Sequence, residues 1–226
     1  MPTRLTDDVW QLHLRAANAF VVRDDVPTLV DAGTPFDAGA IRDGLAEIGL
    51  AVGDVERVLL THYDLDHVGA LGKLDFDATV YAGAFDGALL AGDRKPPLSN
   101  HKGAFQRLSG LLASTPDLEV RTVADGDGVG SFTAYHTPGH TPDHTAFVSE
   151  DLGVALLGDL VTEADGKLEP SPWYLSYDTD AVNRSIVDLA ERAPPFAVAC
   201  MGHGDPITSG GSAALSDLAQ AIGRTA

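Results

Sequence analysis

The sequence predicts an α+β fold, two mixed β-sheets with helices outside them, and two observations predict it. Short apolar runs bounded by Gly, Asp and Pro recur along all 226 residues, which favours many short strands over long helices. Some runs follow one another like hairpins and others alternate with helical stretches, so each sheet is expected to mix antiparallel and parallel neighbours. The two patterns suggest two similar halves, although no sequence repeat marks them.

Taken in order, residues 9–14, 19–22 and 28–31 are apolar runs, with Asp24, Asp25 and Pro27 breaking the second from the third. A helix is expected over 37–50, then a strand over 57–61 built on Val58-Leu59-Leu60. Strand 78–82 precedes helices 84–91 and 102–114, and strand 119–123 follows. Strands 131–136, 145–149 and 153–157 then succeed one another without a helix. In helix 179–192, Val182, Ile186, Val187, Leu189 and Ala190 fall near helical spacing. Strand 197–201 and helix 212–224 come last. No linker, charge block or low-complexity segment intervenes, so residues 1–226 are expected to form one domain.

Composition excludes several function classes. Hydrophobic residues make up 44% of the chain, enough for a full core, yet no apolar run approaches the roughly 18–20 residues that span a bilayer. The N-terminus is polar and acidic, unlike a signal peptide, so a cytoplasmic location is expected. Cys200 is the lone cysteine, which rules out an internal disulfide framework and a cysteine-cluster zinc site. The formal charge is −18, from 26 Asp and 7 Glu against 11 Arg and 4 Lys. Such a surface repels phosphate backbones, so nucleic acid and anionic membranes are not expected partners; a small-molecule substrate is. The Asp-rich, Lys-poor balance resembles proteins of salt-in halophiles. Oligomeric state is not legible.

Five of the eight histidines sit near carboxylates in loops after expected strands. In Thr61-His62-Tyr63-Asp64-Leu65-Asp66-His67-Val68-Gly69, four donors occupy six positions after an apolar run. A loop can turn all four inward, whereas a regular strand or helix could not. Imidazole and carboxylate are the donor set for Zn, Fe and Mn. The bland alternative is a polar loop with capping aspartates and exposed histidines. A second segment, His136-Thr137-Pro138-Gly139-His140-Thr141-Pro142-Asp143-His144, spaces three histidines four apart. Its prolines and glycine forbid a helix, so one histidine is expected to reach a site, and spacing does not say which. Asp159 after Leu156-Leu157-Gly158 and His203 between Gly202 and Gly204 are each, taken singly, ordinary turn residues.

Taken together, His62, Asp64, Asp66, His67, His140, Asp159 and His203 resemble the ordered signature of the metallo-β-lactamase-fold superfamily. Leu29-Val30-Asp31-Ala32-Gly33 matches its first motif, so the resemblance runs from about residue 29 to 204. It implies an αββα sandwich with a metal site at one edge. One metal would use His62, Asp64 and His140; the other would use Asp66, His67 and His203, with Asp159 bridging. Asp31 would hold the ligand loop. Asp64 departs from the family, which usually has histidine there. Two divalent ions with three carboxylates and a hydroxide total zero charge, where the histidine version carries one positive. The bound water should then be less acidic, and preference should move from Zn toward Fe or Mn. The flavodiiron branch carries Glu at the matching position.

The function the resemblance implies is a zinc-dependent hydrolase, with one or two ions, acting on an ester, thioester or lactone rather than a β-lactam. Asp66 would orient the attacking water or carry its proton. The alternative is a non-haem (di)iron redox enzyme of the same fold, although the chain has no room for a flavodoxin domain. Asp64 also breaks the glyoxalase-II motif. A serine nucleophile is absent from any G-x-S-x-G elbow, and Cys200 reads as an inert buried thiol. Asp125-Gly126-Asp127-Gly128 starts like a calcium loop but lacks its closing Glu, so a turn is expected. Residues 92–115 and 163–177, including His101, Trp173 and Tyr174, are expected to form a rim over the site.

Overall fold

The computed structural model describes residues 1–112 and 117–225. Its first half forms a seven-stranded sheet from β1 (Thr3–Arg4), β2 (Val9–His13), β3 (Asn18–Arg23), β4 (Pro27–Val30), β5 (Arg57–Leu59), β6 (Thr79–Ala82) and β7 (Val120–Thr122), in that spatial order. Strands β1 to β4 are an antiparallel meander, and β4 to β7 run parallel. Parallel neighbours need crossovers. Helix α1 (Ala38–Glu47) and the short α2 (Leu65–Val68), α3 (Ala84–Leu90) and α4 (His101–Ser109) lie within those crossovers.

The second half pairs β8 (Gly128–Val129), β9 (Phe132–His136), β10 (Thr145–Ser149) and β11 (Val154–Gly158) antiparallel. A two-stranded ribbon follows, β12 (Val161–Ala164) and β13 (Lys167–Pro170), then α5 (Thr179–Arg192), β14 (Val198–Met201) and α6 (Gly211–Thr225). Strand β14 returns parallel to β11 and completes a mixed five-stranded sheet.

Residue alternation explains the layers. On β3, Phe20 and Val22 join Phe132, Phe147 and Leu156 in a core between the sheets, while Ala19 and Val21 face Ile41 and Leu45 of α1. On β11, Val154 and Leu156 point inward and Ala155 and Leu157 point toward α5 and α6. Strands buried on both faces read as continuous apolar runs, which is why 153–157 shows no alternation. Helix α5 presents Val182, Ile186 and Leu189 to its sheet, with Asp178 capping its first turn by accepting from the Ala181 N–H at 2.9 Å. Val187 and Ala190 lie at the margin of that face.

All ten expected strands and five expected helices are found, with ends shifted by a few residues. Residues 113 and 114 of the helix expected over 102–114 lie outside the described residues; α4 ends at Ser109 and passes into a tighter turn, Gly110–Leu112. Among the strands, β1, β8 and the β12–β13 ribbon carry no expectation from sequence. The ribbon turns at Asp165 and Gly166, both with positive φ, the Asp-Gly pair that a tight hairpin turn selects. Residues 61–69, expected as loop throughout, contain one helical turn at Leu65–Val68. Asp125–Gly126 is a turn, as expected. Among the described residues, no helix is long and apolar enough to cross a membrane.

Candidate metal centre

Strands β4, β5, β9, β11 and β14 all end at one edge of the molecule, and each delivers polar residues there. Asp31, just past β4, has φ 54° in the left-handed region that Asp tolerates better than most residues. Its buried carboxylate accepts three hydrogen bonds: Thr61 N–H at 2.9 Å, the Thr61 hydroxyl at 2.7 Å and His67 Nδ1–H at 2.8 Å. A carboxylate only accepts, so Nδ1 of His67 carries a proton. The Thr61 hydroxyl, having donated to Asp31, accepts from His62 Nδ1 at 3.0 Å. Both imidazoles therefore turn Nε2 toward the same interior point.

The helical turn at Leu65–Val68 explains how four close donors converge. His62 and Asp64 alternate along extended backbone onto one side, and the turn then brings in Asp66 and His67. His140, in the β9–β10 loop, bonds Ser171 Oγ through Nδ1 at 2.8 Å. Its Nε2 lies 3.1 Å from both His62 Nε2 and Asp64 Oδ2. Asp159, after β11, places Oδ2 3.5 Å from His140 Nε2 and 3.2 Å from His203 Nε2. His203 Nε2 is also 3.5 Å from Asp66 Oδ2. Gly202 is required beside it, since a Cβ there would lie 2.0 Å from Asp159 Oδ1.

The structure thus brings all seven sequence-predicted donors together. They form two adjoining groups, His62, Asp64, His140 and Asp159, then Asp66, His67 and His203, with ligand atoms within 4.8 Å of one another in each. The other two histidines of the second segment lie elsewhere. His136 is exposed and pairs with Asp143 at 3.0 Å. His144 is buried behind the centre; its Nδ1 meets Thr137 Oγ1, and its Nε2 accepts the Asp159 N–H at 3.1 Å.

Burial and charge oppose one another throughout this edge. Burial pushes the Asp159 carboxyl up, but His67, His140 and His203 outweigh it and hold it well below the usual carboxylate range. For Asp64, burial is outweighed in the same way by Lys102 with His140 and His62. Burial lowers His67, yet Asp159 and Asp31 raise it well above the usual imidazole range. Burial, then the neighbouring Lys102 ammonium, push His140 down to about 3. A bound divalent ion fits this arrangement on a specific ground. His67 Nε2 and Asp159 Oδ1 face each other at 3.4 Å, buried and without a hydrogen bond, and a cation would satisfy both.

Several supporting residues carry no signal in the sequence. Lys102 and Gln106, one turn apart on α4, reach Asp64: Nζ lies 2.8 Å from Oδ2 and Nε2 donates to Oδ1 at 2.8 Å. Asp86 on α3 joins two ligand loops, accepting from Tyr63 N–H at 3.0 Å and the Thr141 hydroxyl at 2.8 Å. Burial raises its carboxyl to about 6. Asn18 opens β3 and ties the His203 loop to the first sheet, donating to the carbonyls of Met201 and Gly204 at 3.0 and 2.8 Å. By local pattern, each of these reads as an ordinary polar surface residue.

A cleft of about 300 Å³ opens over the donors, walled by Leu65, Phe105, Tyr174 and Leu175. The two expected rim segments do meet there: His101 Nε2 lies 3.0 Å from the Trp173 carbonyl. Residues 113–115 of that rim lie outside the described residues. A groove of about 580 Å³ between α5 and α6 is larger, but its walls, including Asp180, Arg184 and Glu191, contain no histidine.

Comparison with known proteins agrees with this geometry. The sequence model of the family described as Metallo-beta-lactamase superfamily matches residues 14–203. The Bacillus subtilis (strain 168) protein named Probable metallo-hydrolase YflN is 28% identical over 222 residues, covering 87% of this chain and 81% of its own. The Bdellovibrio bacteriovorus hydroxyacylglutathione hydrolase is 29% identical over 148 residues, 63% of this chain and 47% of that one. A metallo-beta-lactamase family protein from Thermus thermophilus, TTHA1429, shares the fold with a TM-score of 0.73 and 24% identity, covering 98% of this chain and 81% of its own.

Proposed function

The chain belongs to the metallo-beta-lactamase superfamily, and from that premise we propose that its metallo-hydrolase centre cleaves small carboxylic esters, thioesters or lactones that carry an apolar group. The observation that carries the reading is the convergence of seven donors, in which the buried atoms His67 Nε2 and Asp159 Oδ1 face each other at 3.4 Å without a hydrogen bond. The residues that fit divalent ions, one or two, are His62, Asp64, His140 and Asp159 in one group and Asp66, His67 and His203 in the other. Zn suits the four imidazoles; Fe or Mn suits the three carboxylates, and Zn is the first choice. When bound, the ion supplies Lewis acidity and a water acidic enough to attack at neutral pH.

The chain's own residues do the rest. Asp31 and Ser171 orient the rings of His67 and His140 by holding Nδ1, and His144 holds the backbone of Asp159. The Asp66 and His203 side chains are about one-third exposed, 30% and 33%, and line the cleft, which supports Asp66 as the residue that orients the attacking water or takes its proton. Leu65, Phe105, Tyr174 and Leu175 give the substrate an apolar wall. Similarity to a hydroxyacylglutathione hydrolase supports a thioester within this class. The alternative, a non-haem iron redox enzyme of the same fold, rests on the Asp64 carboxylate as an oxygen donor where the family usually has histidine; Gln106 and Lys102 engage that carboxylate.

The test is elemental analysis of the purified chain coupled to a panel of chromogenic esters, acyl thioesters and lactones. Hydrolysis that a chelator abolishes and zinc restores is the expected result. Full turnover in the metal-free chain, or none on the panel with metal bound, overturns the proposal.

A further inference from the structure

The two donor groups differ in how they are satisfied. In the group nearest α4, Lys102 Nζ lies 2.8 Å from Asp64 Oδ2 and bonds His140 Nε2, and Gln106 takes the other Asp64 oxygen. At the neighbouring group, His67 Nε2 faces Oδ1 of the adjoining Asp159 at 3.4 Å, both atoms buried and without a hydrogen bond. The lysine is built into its position. Asn100 caps α4, its side chain accepting from the Lys102 N–H at 2.9 Å and donating to the Tyr177 carbonyl at 3.1 Å. Gly103 lets the helix dock, because a Cβ there would lie 2.2 Å from the Pro97 carbonyl oxygen. Lys102 is only 3% exposed, while Phe105 and Leu108 on the same helix face solvent. Helix α4 thus turns its polar side inward and its apolar side outward, the reverse of a surface helix.

An ammonium so placed has a function that the neighbouring chemistry defines. His62 and His140 turn lone pairs, and Asp64 and Asp159 turn negative oxygens, on one small volume; a cation must neutralise it. Lys102 already supplies a compact positive charge with N–H donors to Asp64 and His140, and a divalent ion on the same atoms would meet that charge at close range. We propose that the Lys102 ammonium is the resident cation of the His62–Asp64–His140 group, so that the chain binds one divalent ion, at Asp66, His67, His203 and Asp159. This rests on the metal-dependent reading above. It also explains a carboxylate at position 64, which a lysine pairs with as it would not with a histidine.

Equilibrium dialysis of the full chain against zinc after chelator treatment, with elemental analysis of ions per chain and circular dichroism for folding, tests it. The wild type and Lys102→Arg are expected to bind one ion, and Lys102→Met to bind two. Two ions in the wild type, or one in a folded Lys102→Met, overturn this inference while leaving a metal centre in place. No bound ion in the folded wild type overturns the metal reading as well. If Lys102→Met does not fold, the wild-type and Lys102→Arg counts decide.

Discussion

Replacing Asp31 with Asn changes one atom and sets two donors, the fixed Thr61 N–H and the His67 Nδ1–H, against an amide. Thr61 N–H and His67 Nδ1–H approach opposite oxygens of the carboxylate, at 2.9 and 2.8 Å. An amide offers one oxygen and one NH2, so whichever way the new side chain turns, a donor faces a donor. Asn tolerates the left-handed backbone at this position, so the effect is one of hydrogen bonding and not of strain. With the oxygen toward Thr61, His67 is driven to accept at Nδ1 and to carry its proton on Nε2, the atom that faces the centre. Loss of such an orienting partner costs about 10–100-fold in metal affinity, roughly 1.4–2.8 kcal/mol. The buried mismatch itself costs about 1–3 kcal/mol of stability. Competition against a fluorescent zinc chelator reads the first quantity, and thermal unfolding of metal-free protein reads the second. Asp31→Asn protein that binds zinc with wild-type affinity would refute the assignment of His67 Nε2 as a donor to metal.

Further predictions address other parts of the centre. Asp159→Ala is expected to reduce metal content and abolish turnover; full activity would refute its placement at the centre. Asn18→Ala removes two hydrogen bonds to the His203 loop and is expected to cost about 1–3 kcal/mol, measured by urea unfolding, and to weaken metal binding. Asp86 has its pKa raised by burial to about 6 in the folded chain from 3.8, so its contribution is fully present below 3.8 and is lost as pH rises through 6. Metal-free Asp86→Asn should therefore gain up to about 3 kcal/mol relative to wild type between about pH 4 and pH 7, and parallel stability curves would contradict this. Burial pushes the Cys200 thiol well up, so a thiol reagent should label it only after unfolding.

How much of this was legible in the sequence follows from how local each signal is. Apolar runs and their punctuation marked every long strand, because a strand buried on both faces must be apolar throughout. The two-residue strands β1 and β8 left no such mark, and the β12–β13 ribbon carried only its Asp165-Gly166 turn. The seven donors were legible as an ordered set that resembles a family signature; Asp159 and His203, taken singly, read as turn residues. Among His136, His140 and His144, spacing could not choose; the β9–β10 loop turns only His140 Nε2 to the centre.

The sequence by itself determined the donor types, their order and the strands that carry them, since each depends on residues adjacent in the chain. Only the tertiary structure decided which atoms have partners. Lys102 and Gln106 sit on a helix whose composition suggests a solvent-facing polar side, and nothing within its nine residues reverses that. The reversal comes from docking: Asn100 and Gly103 seat α4 against Pro97 and against Tyr177, which lies 77 residues beyond Asn100, and rotate the lysine onto Asp64. Side-chain direction on a helix is set by what the helix packs against, and that partner lies far away in sequence.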